Sequence, residues 1–108
     1  MIKRISLVRR REGMSVAEFS EHWLGEHAAI IRGMPGLRGY RLDIVESWQG
    51  DPEPWDGIGE LWFDSRADLE AAFAAVADVL TADRARFVSR TSAAYVQEHV
   101  IVREPASP

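Results

Sequence analysis

The stretch that decides the fold reads Phe19-Ser20-Glu21-His22-Trp23-Leu24-Gly25-Glu26-His27 and continues to Met34-Pro35-Gly36-Leu37-Arg38-Gly39-Tyr40. Residues four apart share one face of an α-helix, so Phe19, Trp23 and His27 stack on one side. That side is apolar and is predicted to pack against a sheet. His27 lies at its end, where its spacing suits either a satisfied core histidine or a site for a small apolar molecule.

The segment before this helix is predicted to be a half-buried strand. Residues 2–9 alternate, with Ile5 and Leu7 on one face and Arg4 and Ser6 on the other. Strict alternation over this length is typical of a strand with one buried face.

The remaining elements follow the same rules of periodicity and capping. They are a helix from the capping box Ser15-Val16-Ala17-Glu18 to about Arg32, strands over 37–47, 58–64 and 94–103, a helix capped by Ser65, and a short helix over 81–87. The order βαββαβ predicts an α+β, ferredoxin-like fold with a four-stranded antiparallel sheet.

Composition narrows the class of protein. The 108 residues and 46% hydrophobic content predict one domain over 1–103, followed by a disordered tail over 104–108. The formal net charge of −4 disfavours a nucleic-acid partner. Five of the 13 basic residues fall within positions 1–11, which indicates a solvated strand end or, alternatively, a site for an acidic ligand.

The chain contains no cysteine, so disulfides and thiolate chemistry are excluded. No apolar run reaches the roughly 18 residues that span a bilayer, and the N-terminus lacks the apolar core of a signal peptide. We expect a soluble, cytoplasmic protein with no membrane partner.

The face of the sheet opposite the helices is predicted to carry Arg4, Ser6, Glu60 and Trp62. Such a mixed surface favours pairing with a second sheet. We therefore expect a homodimer in which two sheets pack face to face.

Several motifs together resemble the EthD family of dimeric α/β-barrel proteins. They are Phe19-x-x-x-Trp23-x-x-x-His27, Pro35-Gly36-Leu37-x-x-Tyr40, Trp55-Asp56-Gly57-x-x-Glu60-Leu61-Trp62-Phe63-Asp64-Ser65, Asp83-x-x-x-Phe87 and Glu98-His99-Val100-Ile101. The resemblance implies a dimeric α/β barrel with a pocket between sheet and helices in each subunit. One relative, methylmuconolactone methylisomerase, is a cofactor-free isomerase whose helix histidine and following tyrosine are similar to His27 and Tyr40.

The residues themselves lead to the same candidate site. Tyr40 shares strand parity with the apolar residues that should face the helices, and His27 looks back at that sheet. We predict that His27 and Tyr40 are catalytic, in a space walled by the substrate-binding residues Phe19, Trp23, Leu61, Phe63 and Phe73. A buried imidazole without a charge partner should have a lowered pKa and act as a base, and a tyrosine hydroxyl could donate to a carbonyl or enolate.

Other candidates are predicted to be structural. His22 should be solvated on a charged face with Glu18 and Glu26, His99 should be exposed, and Asp56 should cap a turn. His22, His27 and Glu26 are not predicted to share a face, so no metal site is expected. No phosphate loop or dinucleotide fingerprint is present, and no cofactor is implied.

Three classes of function remain open for a small-molecule ligand. The first is a cofactor-free isomerase, cyclase or lyase that acts on a lactone or aromatic-type metabolite. The second is a cofactor-independent oxygenase that relies on Trp23 or Trp62. The third is a non-catalytic binding or accessory protein.

Overall fold

A computed structural model describes residues 1–50 and 52–105 of the chain. Its elements are β1 (Ile2–Arg10), α1 (Val16–His22), a π-helical turn (Trp23–His27), α2 (Ala28–Arg32), β2 (Gly39–Ile44), β3 (Gly57–Phe63), α3 (Arg66–Ala75), α4 (Ala77–Phe87) and β4 (Val88–Val96). The strands form one antiparallel sheet in the order β2-β3-β1-β4. This confirms the predicted α+β, ferredoxin-like fold.

Local hydrogen bonds start both long helical segments where the sequence predicts them. The Ser15 hydroxyl accepts from the Glu18 N–H at 3.0 Å, and the Glu18 carboxylate accepts from the Ser15 N–H at 3.0 Å. The Ser65 hydroxyl likewise accepts from the Asp68 N–H at 3.1 Å. These caps satisfy N–H groups that have no partner within the helix. α1, the π-helical turn and α2 follow one another without a break.

The last strand lies earlier in the chain than the predicted range of 94–103. β4 begins directly after Phe87 and pairs with β1 from Arg10↔Val88 to Lys3↔Val96. The ladder ends at Lys3↔Val96, one residue short of the first residue of β1.

The register corrects the predicted faces of β1. Arg4 lies opposite Leu61 and Ser6 lies opposite Gly59, on the side of the sheet that the helices cover. Ile5 and Leu7 therefore lie on the opposite side, called here the open face, with Glu60, Ile58 and Trp62. The prediction was wrong because it assumed that the more apolar side of β1 must face the helices. Both sides of this strand carry apolar residues, and only the pairing distinguishes them.

Two clusters of buried side chains form the core between sheet and helices. One contains Ile31, Met34, Leu61, Phe63, Leu69, Ala72 and Leu80. The other contains Val8, Phe19, Trp23 and Phe87. The clusters stand at different ends of the helix-facing side of the sheet, so the space between them is available for a site.

Gly57 lets the Trp23 ring lie directly on the sheet. A Cβ atom at Gly57 would lie 2.1 Å from Cζ3 of Trp23, far inside van der Waals contact. The ring is 2% exposed and is held between sheet and helix. The glycine is therefore required by a close approach of side chain to backbone.

Asp56 fastens the loop before β3 to the end of β1. Its carboxylate accepts from the Arg10 N–H at 2.8 Å and from Arg10 Nη1 at 2.6 Å, and Arg9 Nη1 lies 3.4 Å away. Asp56 is 7% exposed, so these are partly desolvated charge-assisted bonds. The predicted solvated strand end is corrected here, since Arg9 and Arg10 are partners of a buried carboxylate.

After β4 the chain crosses the rim of the open face. The Glu98 carboxylate accepts from Lys3 Nζ at 2.9 Å, and the Glu104 carboxylate pairs with Arg41. The segment between them exposes Val100, Ile101 and Val102 at 67%, 89% and 86%. Of the tail predicted to be disordered, residues 106–108 lie outside the described ranges. No helix in the described ranges is long and apolar enough to cross a membrane.

Candidate functional site

A cavity lies between the helix-facing side of the sheet and the helices, and it separates the two core clusters. Its apolar walls include Val8, Trp23 and Phe87 from one cluster and Ile31, Leu61 and Leu80 from the other. Its polar lining consists of Arg4, Ser6, His27, Tyr40, Arg84 and Thr91. The volume open to the centre of a water-sized molecule inside this cavity is about 40 Å³, and the cavity opens partly to solvent. This shape, apolar with a few polar groups, is typical of sites for small molecules.

His27 presents one ring nitrogen to a buried acid and keeps the other free. The residue is 9% exposed, and its Nδ1 lies 2.9 Å from Oδ2 of Asp83 on α4. Because an ionised carboxylate only accepts, Nδ1 must carry the hydrogen. Nε2 then holds the lone pair, and it makes no hydrogen bond within the described part of the chain. The neutral ring is therefore ready to accept a proton at Nε2.

The π-helical turn brings a second histidine to the same acid. His22 Nε2 lies 2.7 Å from Oδ1 of Asp83, and the His22 ring stacks on Phe87 at 4.6 Å between centroids. In an α-helix, residues five apart point in different directions, whereas a π-helical turn brings i and i+5 together. The predictions that His22 is solvated and does not share a face with His27 were wrong, because the extra residue in the turn rotates His27 toward it.

Burial lowers the pKa of His27. The hydrogen bond and the negative charge of Asp83 oppose this lowering, while the nearby charges of Arg84 and His22 add to it. The sequence interpretation gave the direction but assumed no charge partner, and Asp83 corrects that assumption. The effect of burial outweighs that of Asp83, because removal from water destabilises the imidazolium more than one neighbouring carboxylate stabilises it.

Tyr40 lines the same cavity from β2. Its hydroxyl is buried and has no hydrogen-bond partner among the described residues. Burial raises the pKa of this hydroxyl well above its usual value, so it stays protonated. An unpaired buried hydroxyl costs roughly 1–3 kcal/mol, a cost that a ligand acceptor would remove.

The predicted wall residues divide into two groups. Trp23, Leu61 and Phe73 line the cavity. Phe19 and Phe63 are each 0% exposed and do not line it. Phe19 lies one helical turn before Trp23, packed on Trp23 and Phe87 at 5.3 and 5.8 Å, so other rings separate it from the space. Trp62 lies on the open face, away from the cavity.

Sequence reasoning missed the charged members of the site. Arg4 was placed on the open face, and Arg84 was not singled out, although both line the cavity. Asp83 stood in a motif, Asp83-x-x-x-Phe87, without a role. Its signal was present, because an acid four residues before an aromatic residue in a helix lies on the same face as that ring.

One group of potential metal ligands surrounds His22. Ligand atoms of His22, Glu26 and Asp83 lie within 4.8 Å of one another. His22 already contacts both carboxylates, with Nε2 2.7 Å from Asp83 and Nδ1 3.6 Å from Glu26. The arrangement is accounted for by hydrogen bonds that orient the two imidazoles.

A comparison with known protein families shows the family of this chain. The sequence profile of the EthD domain matches residues 11–91, a range that contains His27, Tyr40, Asp83 and Arg84. The chain belongs to the EthD family. An 11.0 kDa protein of Rhodococcus erythropolis, encoded in the thcB–thcC intergenic region, is 28% identical over 58 residues. That match covers 54% of this chain and 56% of the relative, so it spans about half of each.

Solved structures share the fold of this EthD chain at low sequence identity. An EthD family protein of Bacillus halodurans C-125 has a TM-score of 0.76 at 22% identity and covers 92% of this chain and 99% of its own. A dimeric ferredoxin-like protein of Bacteroides fragilis has 0.66 at 15%, covering 90% and 95%. SnoaB of Streptomyces nogalater, a cofactor-independent oxygenase, has 0.65 at 15%, covering 95% and 97%.

Proposed function

We propose that this EthD protein binds a small metabolite of lactone or aromatic type and acts on it as a cofactor-free isomerase, cyclase or lyase. In this proposal His27 is the general base and Tyr40 is the hydrogen-bond donor. One observation carries it: His27 and Tyr40 line one cavity, and within the described residues neither the His27 Nε2 nor the buried Tyr40 hydroxyl makes a hydrogen bond.

The proposed step is proton transfer next to a carbonyl group. His27 Nε2 takes a proton from the carbon beside the carbonyl, the C–H electron pair becomes the enolate double bond, and the carbonyl oxygen gains the negative charge. The Tyr40 hydroxyl donates to that oxygen. The imidazolium, stabilised by Asp83, then returns the proton to another carbon, so the product is an isomer and no atom is gained or lost.

Deuterium exchange tests this proposal without knowledge of the natural substrate. Small unsaturated lactones and cyclic diketones in D₂O are followed by proton NMR, with and without protein. We expect the parent to accelerate exchange of the proton next to the carbonyl in at least one of them. His27→Gln should reduce that acceleration at least about 100-fold, the usual contribution of a positioned base. Tyr40→Phe should reduce it at least about tenfold, as a lost oxyanion donor does.

His99→Gln is the matched control, because His99 is exposed and lies outside the cavity. It should exchange protons at the parent rate. If His27→Gln retains the parent rate while its thermal melt is unchanged, the general-base proposal is wrong. Binding of a lactone without exchange in the parent would instead favour a non-catalytic binding protein.

A second candidate is a cofactor-independent oxygenase. Two observations favour this candidate. Trp23 lines the cavity and is 2% exposed, and the fold is shared with SnoaB. In such a reaction an activated CH₂ group and dioxygen give a carbonyl group and water. Oxygen consumption with an anthrone, measured for the parent and for Trp23→Phe, separates this candidate from the isomerase.

We also propose that residues 1–103 form one domain that works as a cytoplasmic homodimer. A dimeric protein with the same fold supports the homodimer. The open face offers Ile5, Leu7, Ile58 and Trp62 in adjacent strands, all only partly buried in the single chain. A second copy would remove this apolar surface from water.

Sedimentation equilibrium at micromolar concentration should give about twice the 12.2 kDa of one chain. Ile58→Arg places a charge in the middle of the open face and should shift the mass toward the monomer. Val79→Arg, an exposed apolar position on α4, is the control and should leave the mass unchanged. A parent that sediments as a monomer would contradict the proposal.

A further inference from the structure

We propose that the ligand of this cavity carries a carboxylate, which Arg4 and Arg84 bind. This carboxylate would be part of the substrate of the site proposed above. Only the reaction at the rest of the substrate rests on that proposal. Binding of the acid itself depends on the two arginines and not on His27.

The position of Arg4 is the first support. Its side chain leaves β1 on the helix-facing side of the sheet, opposite Leu61 and Tyr95. The guanidinium carbon lies 4.8 Å from the centroid of the Phe73 ring. Arg4 is partly buried and lines the cavity, so a charge that usually lies in water is held against apolar walls.

Arg84 approaches the same space from α4. It is partly buried and follows Asp83 in the chain. Burial lowers the pKa of Arg4, and the positive charge of Arg84 adds to that lowering. The same charge contributes to the lowered pKa of His27. Arg84 is therefore near enough to influence both Arg4 and the proposed base.

The other basic side chains show how unusual this pair is. Among the described residues, eight basic side chains make ion pairs with carboxylates: Lys3, Arg9, Arg10, Arg38, Arg41, Arg66, Arg86 and Arg90. Three more are exposed, namely Arg11, Arg32 and Arg103. Within residues 1–50 and 52–105, Arg4 and Arg84 are thus the partly buried cations without a carboxylate partner.

No acid in the described chain is placed to neutralise them from within the cavity. Its lining includes neither Asp nor Glu, and the nearby Asp83 uses both carboxylate oxygens on His22 and His27. Two like charges held partly out of water destabilise the empty site. An anionic ligand group would offset that cost, and guanidinium donors match the two oxygens of a carboxylate.

A carboxylate fits better than a phosphate. Phosphate sites in proteins usually add backbone N–H groups at a helix N-terminus to their basic side chains. Arg84 lies near the C-terminal end of α4, which ends at Phe87, where the helix dipole is negative. In the described part of the chain, the positive charge at this cavity comes from the side chains of Arg4 and Arg84. The remaining lining is largely apolar and suits the hydrocarbon part of an organic acid.

Binding of phenylacetate and phenylacetamide tests the inference, because the two probes have the same shape and differ in charge. Titrations followed by protein NMR should give at least tenfold tighter binding of phenylacetate to the parent. Arg4→Gln and Arg84→Gln should each weaken phenylacetate at least tenfold and leave phenylacetamide within about twofold. Arg32 is exposed and lies outside the cavity, so Arg32→Gln should bind both probes as the parent does.

A second measurement follows the melting temperature, first without and then with phenylacetate. Within the described residues neither arginine has a carboxylate partner, so removing one of the two charges should raise the melting temperature of Arg4→Gln or Arg84→Gln by a few degrees, and Arg32→Gln should not change it. Saturating phenylacetate should raise the melting temperature of the parent by more than that of either cavity variant.

His27→Gln separates the two proposals. If it binds phenylacetate like the parent, the carboxylate site stands even where the exchange experiment fails. Equal affinity for acid and amide in the parent would overturn the inference. So would parent-like binding of phenylacetate by both cavity variants, or displacement of phenylacetate by equimolar inorganic phosphate.

Discussion

Asp83→Ala should lower the free energy of unfolding by about 3 kcal/mol. The carboxylate is 5% exposed and accepts from His22 at 2.7 Å and from His27 at 2.9 Å. Without it, two partly buried imidazole N–H groups lose their acceptor, and each such loss costs roughly 1–3 kcal/mol. For a domain of this size the melting temperature should fall by roughly 15 °C. Urea unfolding and calorimetry at pH 7.5 measure both quantities.

Asp83→Asn isolates the charge from the volume. It should destabilise the protein less than Asp83→Ala, and the pKa of His27 should fall further, since the carboxylate opposes the lowering caused by burial. In the parent, the pKa of folded His27 already lies below the usual 6.5 of the unfolded chain. The stability that neutral His27 contributes is therefore complete above pH 6.5 and is lost as the pH falls through the folded pKa.

In Asp83→Asn, the stability contributed by neutral His27 should be lost over a range that extends to lower pH, and the total loss should be larger. Nitrogen-detected NMR titration of His27 between pH 5 and 8 follows the pKa directly, and Asp78→Asn, on the exposed side of α4, serves as the control. A His27 pKa that rises or stays constant in Asp83→Asn would show that Asp83 does not stabilise the imidazolium.

Gly57→Ala should destabilise the protein by about 3 kcal/mol, at the upper end of the usual cost of overpacking. The new methyl group would lie 2.1 Å from Cζ3, 2.5 Å from Cη2 and 2.9 Å from Cε3 of Trp23. The Trp23 ring is rigid and fully buried, and Gly57, the first residue of β3, is held between Val8 of β1 and Ile44 of β2. Either the Trp23 ring or the sheet must move. The ring lines the cavity, and the sheet supports it. Chemical denaturation measures the loss of stability.

Gly25→Ala is the matched control. Among the described residues, no atom outside its own helix lies within 4 Å of a Cβ at Gly25, which is exposed in the π-helical turn. Alanine is the better helix former, so this variant should match the parent or gain up to about 1 kcal/mol. If Gly57→Ala melts with Gly25→Ala and the parent, the close approach of Trp23 to β3 is not as described.

Much of the fold could be predicted because its signals are local. The Ser15 and Ser65 caps depend on residues three apart, and alternation within 37–44 and 57–63 depends on neighbours in the chain. The extent of β4 could not be predicted in this way. Its ladder runs from Arg10↔Val88 to Lys3↔Val96, so each pair joins residues that are far apart in the chain.

The sequence predicted where the aromatic and imidazole side chains of the candidate site lie, but not where its charged side chains lie. Helical spacing and strand parity placed His27, Tyr40 and Trp23 around one space, and all three line the cavity. Phe19 obeys the same spacing as Trp23 but lies behind it. Periodicity assigns a residue to a face, whereas depth along that face depends on which side chains pack in between.

The sequence by itself determined the element order, the antiparallel ferredoxin-like fold and the family, because hydrophobic period, caps and motifs are carried by short segments. Only the tertiary structure decided the charges of the site. The register of β1 against β3 turned Arg4 inward, and the π-helical turn brought His22 and His27 together on Asp83. A shift of one residue in register or one added residue in a helix changes which side chains meet, although the hydrophobic pattern of the chain stays the same.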